Sequence, residues 1–223
     1  YKKLVTEDLE IGEKILKKLN SFSIPVFTVF GNTDWPTPDD VSDLVGATIK
    51  HKLPHEPKWY KGDLFAEKVK KYKNIHRIDY SFARINDFVL IGMRGHSFPG
   101  HVKSKGYKRH RAKLDKLFKK FNKENKNRKV IFISHNVPYN TKLDKITSKE
   151  ADKKVRGKHY GSKLARRIIN TYQPILAIGG HIHEAKGIQK LGKTLAINSG
   201  SSYESDVVVI DIKNNKIKVK FVK

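Results

Sequence analysis

Two four-residue runs, Val130-Ile131-Phe132-Ile133 and Ile175-Leu176-Ala177-Ile178, contain only apolar side chains. A strand with one wet face alternates apolar and polar residues; a run without alternation belongs to a sheet covered on both faces. That restricts the chain to an α/β architecture with elements packed on either side of the sheet. The first run continues into Ser134-His135-Asn136-Val137-Pro138, the second into Gly179-Gly180-His181-Ile182-His183-Glu184. In a regular strand side chains i and i+2 point the same way. His181 and His183 are therefore expected on one side, able to face one metal or two neighbouring ones, with the glycines allowing close approach. A histidine pair that merely caps a sheet edge fits the same residues.

The remaining pattern agrees with this class. Residues 4–19 place Leu4, Leu9, Ile11, Ile15, Leu16 and Leu19 among charges and predict a helix. Residues 24–30 predict a strand that ends in Gly31-Asn32-Thr33-Asp34. Residues 35–75 are weakly periodic, with short helices expected at 39–45 and from Leu64 to Tyr72. A connection this long carries local structure or a functional flap; His51 and His55 within it read as surface residues. Strands are expected over 77–84 and 87–93 with a turn at Asn86-Asp87, followed by the glycine-rich loop Arg94 to His101. Helices are expected from Tyr107 to Lys123 and from Ser162 to Tyr172, separated by the strand at 130–133 and a lysine-rich loop over 139–160. Four strands close the chain, at 187–191, 194–198, 207–212 and 216–222.

Composition removes several kinds of chemistry. The 223 residues include no cysteine, which excludes disulfides, thiolate metal sites and cysteine nucleophiles. No apolar run reaches the roughly 20 residues of a membrane span, so no membrane partner is expected. With no signal-peptide pattern either, a cytoplasmic location is the expectation. Lys and Arg number 47 against 22 Asp and Glu, a formal charge of +25. Such a surface attracts polyanions at long range, and nucleic acid is a possible partner. The lysines are nevertheless spread over every segment, as expected of a chain that uses lysine as its general solvent-facing residue.

Three strands therefore end in polar residues of metal-ligand type: Asn32 after 24–30, His135 after 130–133, and His181 with His183 after 175–178. Strand C-termini of a doubly wound sheet share one edge, so these side chains can converge. An imidazole and amide set suits Mn, Fe, Zn, Co or Ni. The ordered motifs G-N-T-D, S-H-N and G-G-H-I-H resemble those of the calcineurin-like metallophosphoesterases, and the resemblance extends to Asn198-Ser199-Gly200-Ser201 and to His159-Tyr160-Gly161-Ser162. It implies a single domain over 1–223, a two-sheet α/β sandwich flanked by helices, and a metal-dependent phosphoesterase acting on phosphomonoesters or phosphodiesters. It further implies that Asn32, His135 and His181 bind one divalent transition metal, that His183 binds a second, and that Asp34 orients a ligand or the turn.

This sequence departs from the family pattern twice. The D-x-H and G-D-x-x-D motifs, which supply the other ligands of the second metal and the bridging carboxylate, are absent. The helix at 4–19 is similar to the element that follows them, so they are expected immediately upstream of Tyr1, and the chain from Tyr1 onward is expected to be inactive or weakly active alone. Thr33 stands where many relatives have a histidine that protonates the leaving group, and threonine is no acid near neutrality. Either the substrate has a leaving group that needs no proton, or another group serves, with His96 and His159 as candidates; Arg94 is a candidate to hold a phosphate oxygen. Two alternatives remain open: a module of the same fold that has lost catalysis and binds nucleic acid or a protein, and a closed, purely structural metal site.

Overall fold

The computed structural model describes residues 2–31, 64–95, 105–124, 128–214 and 216–222. Asn32, Thr33, Asp34 and His96 lie outside the described residues, as do His51, His55 and the helix expected at 39–45. The elements run α1 (Lys2–Asn20), β1 (Val26–Thr28), α2 (Leu64–Val69), β2 (Ile75–Arg77), β3 (Phe82–Ile85), β4 (Phe88–Met93), α3 (Lys105–Glu124) and β5 (Lys129–Asn136). They continue with α4 (Lys163–Tyr172), β6 (Leu176–Gly180), β7 (Gly187–Leu191), β8 (Thr194–Asn198), β9 (Val207–Lys213) and β10 (Lys216–Val222).

A six-stranded sheet in the order β3-β4-β5-β6-β8-β7 forms the centre. Strands β4, β5, β6 and β8 are mutually parallel, while β3 and β7 pair antiparallel at the two edges. Strand alternation divides the apolar residues between two cores. Val89, Ile91, Met93, Phe132, Ala177 and Ala196 meet Leu114, Phe118 and Phe121 of α3 and Leu164, Ile168 and Ile169 of α4. On the other face Leu90, Ile131, Leu176 and Ile197 meet Val208, Ile210 and Ile212 of β9, Ile217, Val219 and Phe221 of β10, and Phe27 and Val29 near β1. Full burial of each of the larger side chains among them, such as Ile91, Phe118 or Leu176, stabilises the fold by about 1.5–3 kcal/mol. The wholly apolar strands are thus covered on both faces: helices pack on one, and the antiparallel β9–β10 pair on the other. This is the α/β sandwich expected from the sequence, although the described strands fall into three sheets rather than two. A smaller cluster of Leu16, Val69 and Ile75 attaches α1 and α2 to the parallel β1–β2 pair.

The strand expected over 77–84 is two strands in different sheets. Residues 75–77 pair with β1 and residues 82–85 with β4. Between them the Asp79 carboxylate accepts from the Phe30 amide at 3.0 Å, and Tyr80 adopts a left-handed conformation at φ 50°. A left-handed residue cannot continue a strand. The helix from Leu64 ends at Val69 rather than Tyr72. Ser162 is not the first helical residue of α4 but its cap, its hydroxyl accepting from the Ala165 amide.

Candidate metal centre

Four adjacent parallel strands end along one edge of the sheet. Met93 of β4 leads to Arg94, β5 ends in His135 and Asn136, β6 in Gly179 and Gly180 followed by His181, and β8 in Asn198. The exit of β1 reaches the same edge, because the Gly95 amide donates to the Phe30 carbonyl at 2.6 Å. His135 Nε2 and His181 Nδ1 stand 3.0 Å apart, with ring planes at 66°. The residues sit 46 positions apart in the chain and meet because β5 and β6 are neighbours. Gly179 permits that meeting: a Cβ there would come within 3.1 Å of the Asn136 carbonyl oxygen and the Val137 amide.

His181 and His183 are not successive same-side residues of a strand. Regular pairing stops at Gly180; His181 is left-handed at φ 74°, and His183 opens a 3-10 turn over His183–Ala185. The geometry of the pair is consequently set by the loop, not by strand alternation. His181 is partly buried and His183 exposed. Burial, and after it the charge of His183, pushes the His181 imidazole below the ordinary histidine range. That keeps it neutral near neutrality, the form that has a lone pair to give.

The donor chemistry fits a divalent ion. Two nitrogens bound at right angles to one ion, each at about 2.1 Å, stand about 3.0 Å apart. His135 and His181 hold that spacing as a hydrogen-bonded pair, one nitrogen donating to the other, and an ion bound by both would take the place of the shared proton. Among the described residues, no group of three or more His, Asp or Glu side chains gathers closely enough to hold an ion.

Of the other sequence candidates, Arg94 follows β4 at the same sheet edge, His159 lies on a connecting loop, and the rest lie outside the described residues. Arg94 is 4% exposed, and its charge acts on the Asp79 carboxylate. Burial raises the Asp79 pKa, and Arg77, the Phe30 amide and Arg94 only partly offset this. His159 lies on the β5–α4 connection, where its Nδ1 meets Asp144 at 2.8 Å. Asp144 is fully buried, and no motif in the sequence marks it. Its carboxylate also accepts from the amides of Asn140, Thr141 and Gly161 and from the Thr141 hydroxyl. Asn140 and Thr141 are within four residues of it, but Gly161 and His159 become its neighbours only when the two ends of the loop are brought together.

A family model for the calcineurin superfamily of metallophosphoesterases matches residues 58–222. The chain belongs to that superfamily. The matched span begins downstream of Gly31-Asn32-Thr33-Asp34. An uncharacterised protein of Methanocaldococcus jannaschii, MJ1162, is 40% identical over 96 residues, which cover 41% of this chain and 39% of that protein. Two solved structures share the fold. One, 22% identical, covers 99% of this chain and 76% of its own, with a TM-score of 0.65. The other, TT1561 of Thermus thermophilus, is 15% identical and covers 93% of this chain and 77% of its own, with a TM-score of 0.56.

Proposed function

We propose that the protein is a metal-dependent phosphoesterase that hydrolyses phosphomonoesters or phosphodiesters. The observation that carries this reading is the 3.0 Å approach of His135 Nε2 to His181 Nδ1 at the ends of adjacent parallel strands, in a chain of metallophosphoesterase descent. His135 and His181, with Asn32, would hold one divalent cation, and His183 a second. Bound there, such ions lower the pKa of water and neutralise phosphate oxygens. The chain's own residues supply the rest. His181 remains an uncharged donor, and the left-handed turn at 181 directs it toward His135. Asp34, outside the described residues, would orient a ligand or the turn, as the family pattern implies. Arg94 balances charge at the strand edge. With its Nδ1 engaged by Asp144, His159 presents Nε2 as the proton-handling nitrogen in place of a histidine at Thr33.

The test is hydrolysis of bis-p-nitrophenyl phosphate and p-nitrophenyl phosphate by the full-length protein with Mn, Co, Ni, Zn or Fe. Metal-dependent turnover should fall by at least about 100-fold in His135→Ala and in His181→Ala, since each removes a ligand. Equal turnover with and without chelator would refute the reading. One observation favours a second reading. Arg111, Lys116, Lys119, Lys120 and Lys123 are exposed along α3, a surface suited to nucleic acid. Binding without turnover, weakening steeply from 50 to 200 mM salt, would support that alternative.

A further inference from the structure

We infer that Asn198 is a positioning residue that holds His181 and His183 in their relative orientation through the carbonyl between them. The side chain is fully buried at the end of β8. Its Nδ2 donates to the Ile182 carbonyl at 2.7 Å and to the Leu143 carbonyl at 2.9 Å, and its Oδ1 accepts from the Gly200 amide at 3.0 Å. Ile182 separates the two histidines, and its carbonyl also accepts from the Ala185 amide. No strand pairing fixes the backbone here, because His181 is left-handed and His183 begins a 3-10 turn. Rotation of the peptide between Ile182 and His183 would change the orientation of one imidazole relative to the other. The Asn198 amide opposes that rotation. The same Nδ2 ties Ile182 to the β5–α4 connection, one residue before Asp144, so two loops at the sheet edge are registered by one side chain. A carboxylate of the same shape at 198 would accept the Gly200 bond but could donate neither of the others.

This inference rests on the metal reading for one of its two measurements and stands without it for the other. The variants are Asn198→Asp and, as a control for lost stability alone, Leu191→Ala. Leu191 is buried at the β7–β8 turn, beyond the start of β6 and at the opposite end of the sheet. The first measurement, on the metal-free full-length protein, is the imidazole nitrogen chemical shifts of His181 and His183 by NMR. The second is Mn2+ affinity by titration calorimetry. Asn198→Asp should move both histidines' shifts and weaken Mn2+ binding by about 10–100-fold, the usual effect of removing a partner that orients a ligand. Leu191→Ala should lower the melting temperature and leave shifts and affinity at wild-type values. Equal shifts and affinities in both variants would overturn the inference while leaving the phosphoesterase reading intact. A wild-type protein that takes up no Mn2+ would refute the metal reading, and the shifts would then decide the positioning role alone. Where Asn198→Asp fails to fold, Asn198→Ser, smaller and still a donor, replaces it; loss of folding in both assigns the residue to stability and overturns the inference.

Discussion

Asp144 offers a sharp test of how the site edge is supported. Its buried carboxylate satisfies three backbone amides, those of Asn140, Thr141 and Gly161, together with the Thr141 hydroxyl and His159 Nδ1. Replacement by alanine strands the three amides; the Thr141 hydroxyl keeps the Pro138 carbonyl at 2.9 Å, and His159 is partly exposed to water. A stranded buried donor costs about 1–3 kcal/mol, so Asp144→Ala should cost roughly 5 kcal/mol. Asparagine retains one acceptor oxygen. Placed at the Oδ1 position it keeps the Thr141 and His159 bonds and turns its NH2 toward the amides of Asn140 and Gly161, two losses and roughly 3 kcal/mol. Unfolding entropy of about 2.1 cal/mol/K per residue over 223 residues gives about 0.47 kcal/mol per degree, or about 2 °C for each kcal/mol. Calorimetric melting should therefore show a fall of about 10 °C for alanine and about 6 °C for asparagine. A shift below about 2 °C in both, or a larger loss for asparagine than for alanine, would refute the account of Asp144 as the acceptor that orders this loop.

Three further outcomes follow from other contacts. Gly200 has φ 83°, and a Cβ there would lie 2.3 Å from Asp206 Oδ2, so Gly200→Ala should lose about 2 kcal/mol or more in denaturant unfolding. Burial raises the pKa of Asp115, but the paired bonds from Arg167 and the contact with Tyr172 outweigh it and hold the carboxyl below its ordinary value. A depressed carboxylate stabilises above its unfolded pKa, near 4, and loses that stabilisation as pH falls through its folded value. Asp115→Asn should thus be less stable than wild type at pH 7, with the gap closing below about pH 4; a gap constant with pH would contradict this. His159→Ala should lower turnover of alkyl phosphodiesters far more than that of nitrophenyl esters, whose leaving group needs no proton; equal losses would remove His159 from proton transfer.

The sheet was legible because apolar runs without alternation have few other places to go. The runs at 130–133 and 175–178 lie in the central strands β5 and β6, and the closing strands at 187–222 lie close to their expected boundaries. The break at Asp79 was not legible, since it depends on a carboxylate reaching the amide of Phe30, 49 positions away. At the site, the convergence of His135 and His181 followed from strand-end placement. The conformation of His183 did not, because i/i+2 alternation holds only inside a strand and the strand ends at Gly180. Asp144 and Asn198 escaped for a related reason: both act by satisfying backbone groups, those of Gly161, Ile182 and Leu143 being brought near only by the fold, and backbone groups leave no letter in the sequence.

The left-handed backbone at His181 sets stability against function. A side chain at φ 74° is held there at a cost of about 1–2 kcal/mol, which glycine would not incur. Variants selected for heat resistance alone should therefore drift toward glycine or asparagine at 181, whereas selection that demands turnover as well should restore histidine. The persistence of a strained residue under one regime and its replacement under the other would distinguish a working imidazole from an ornamental one.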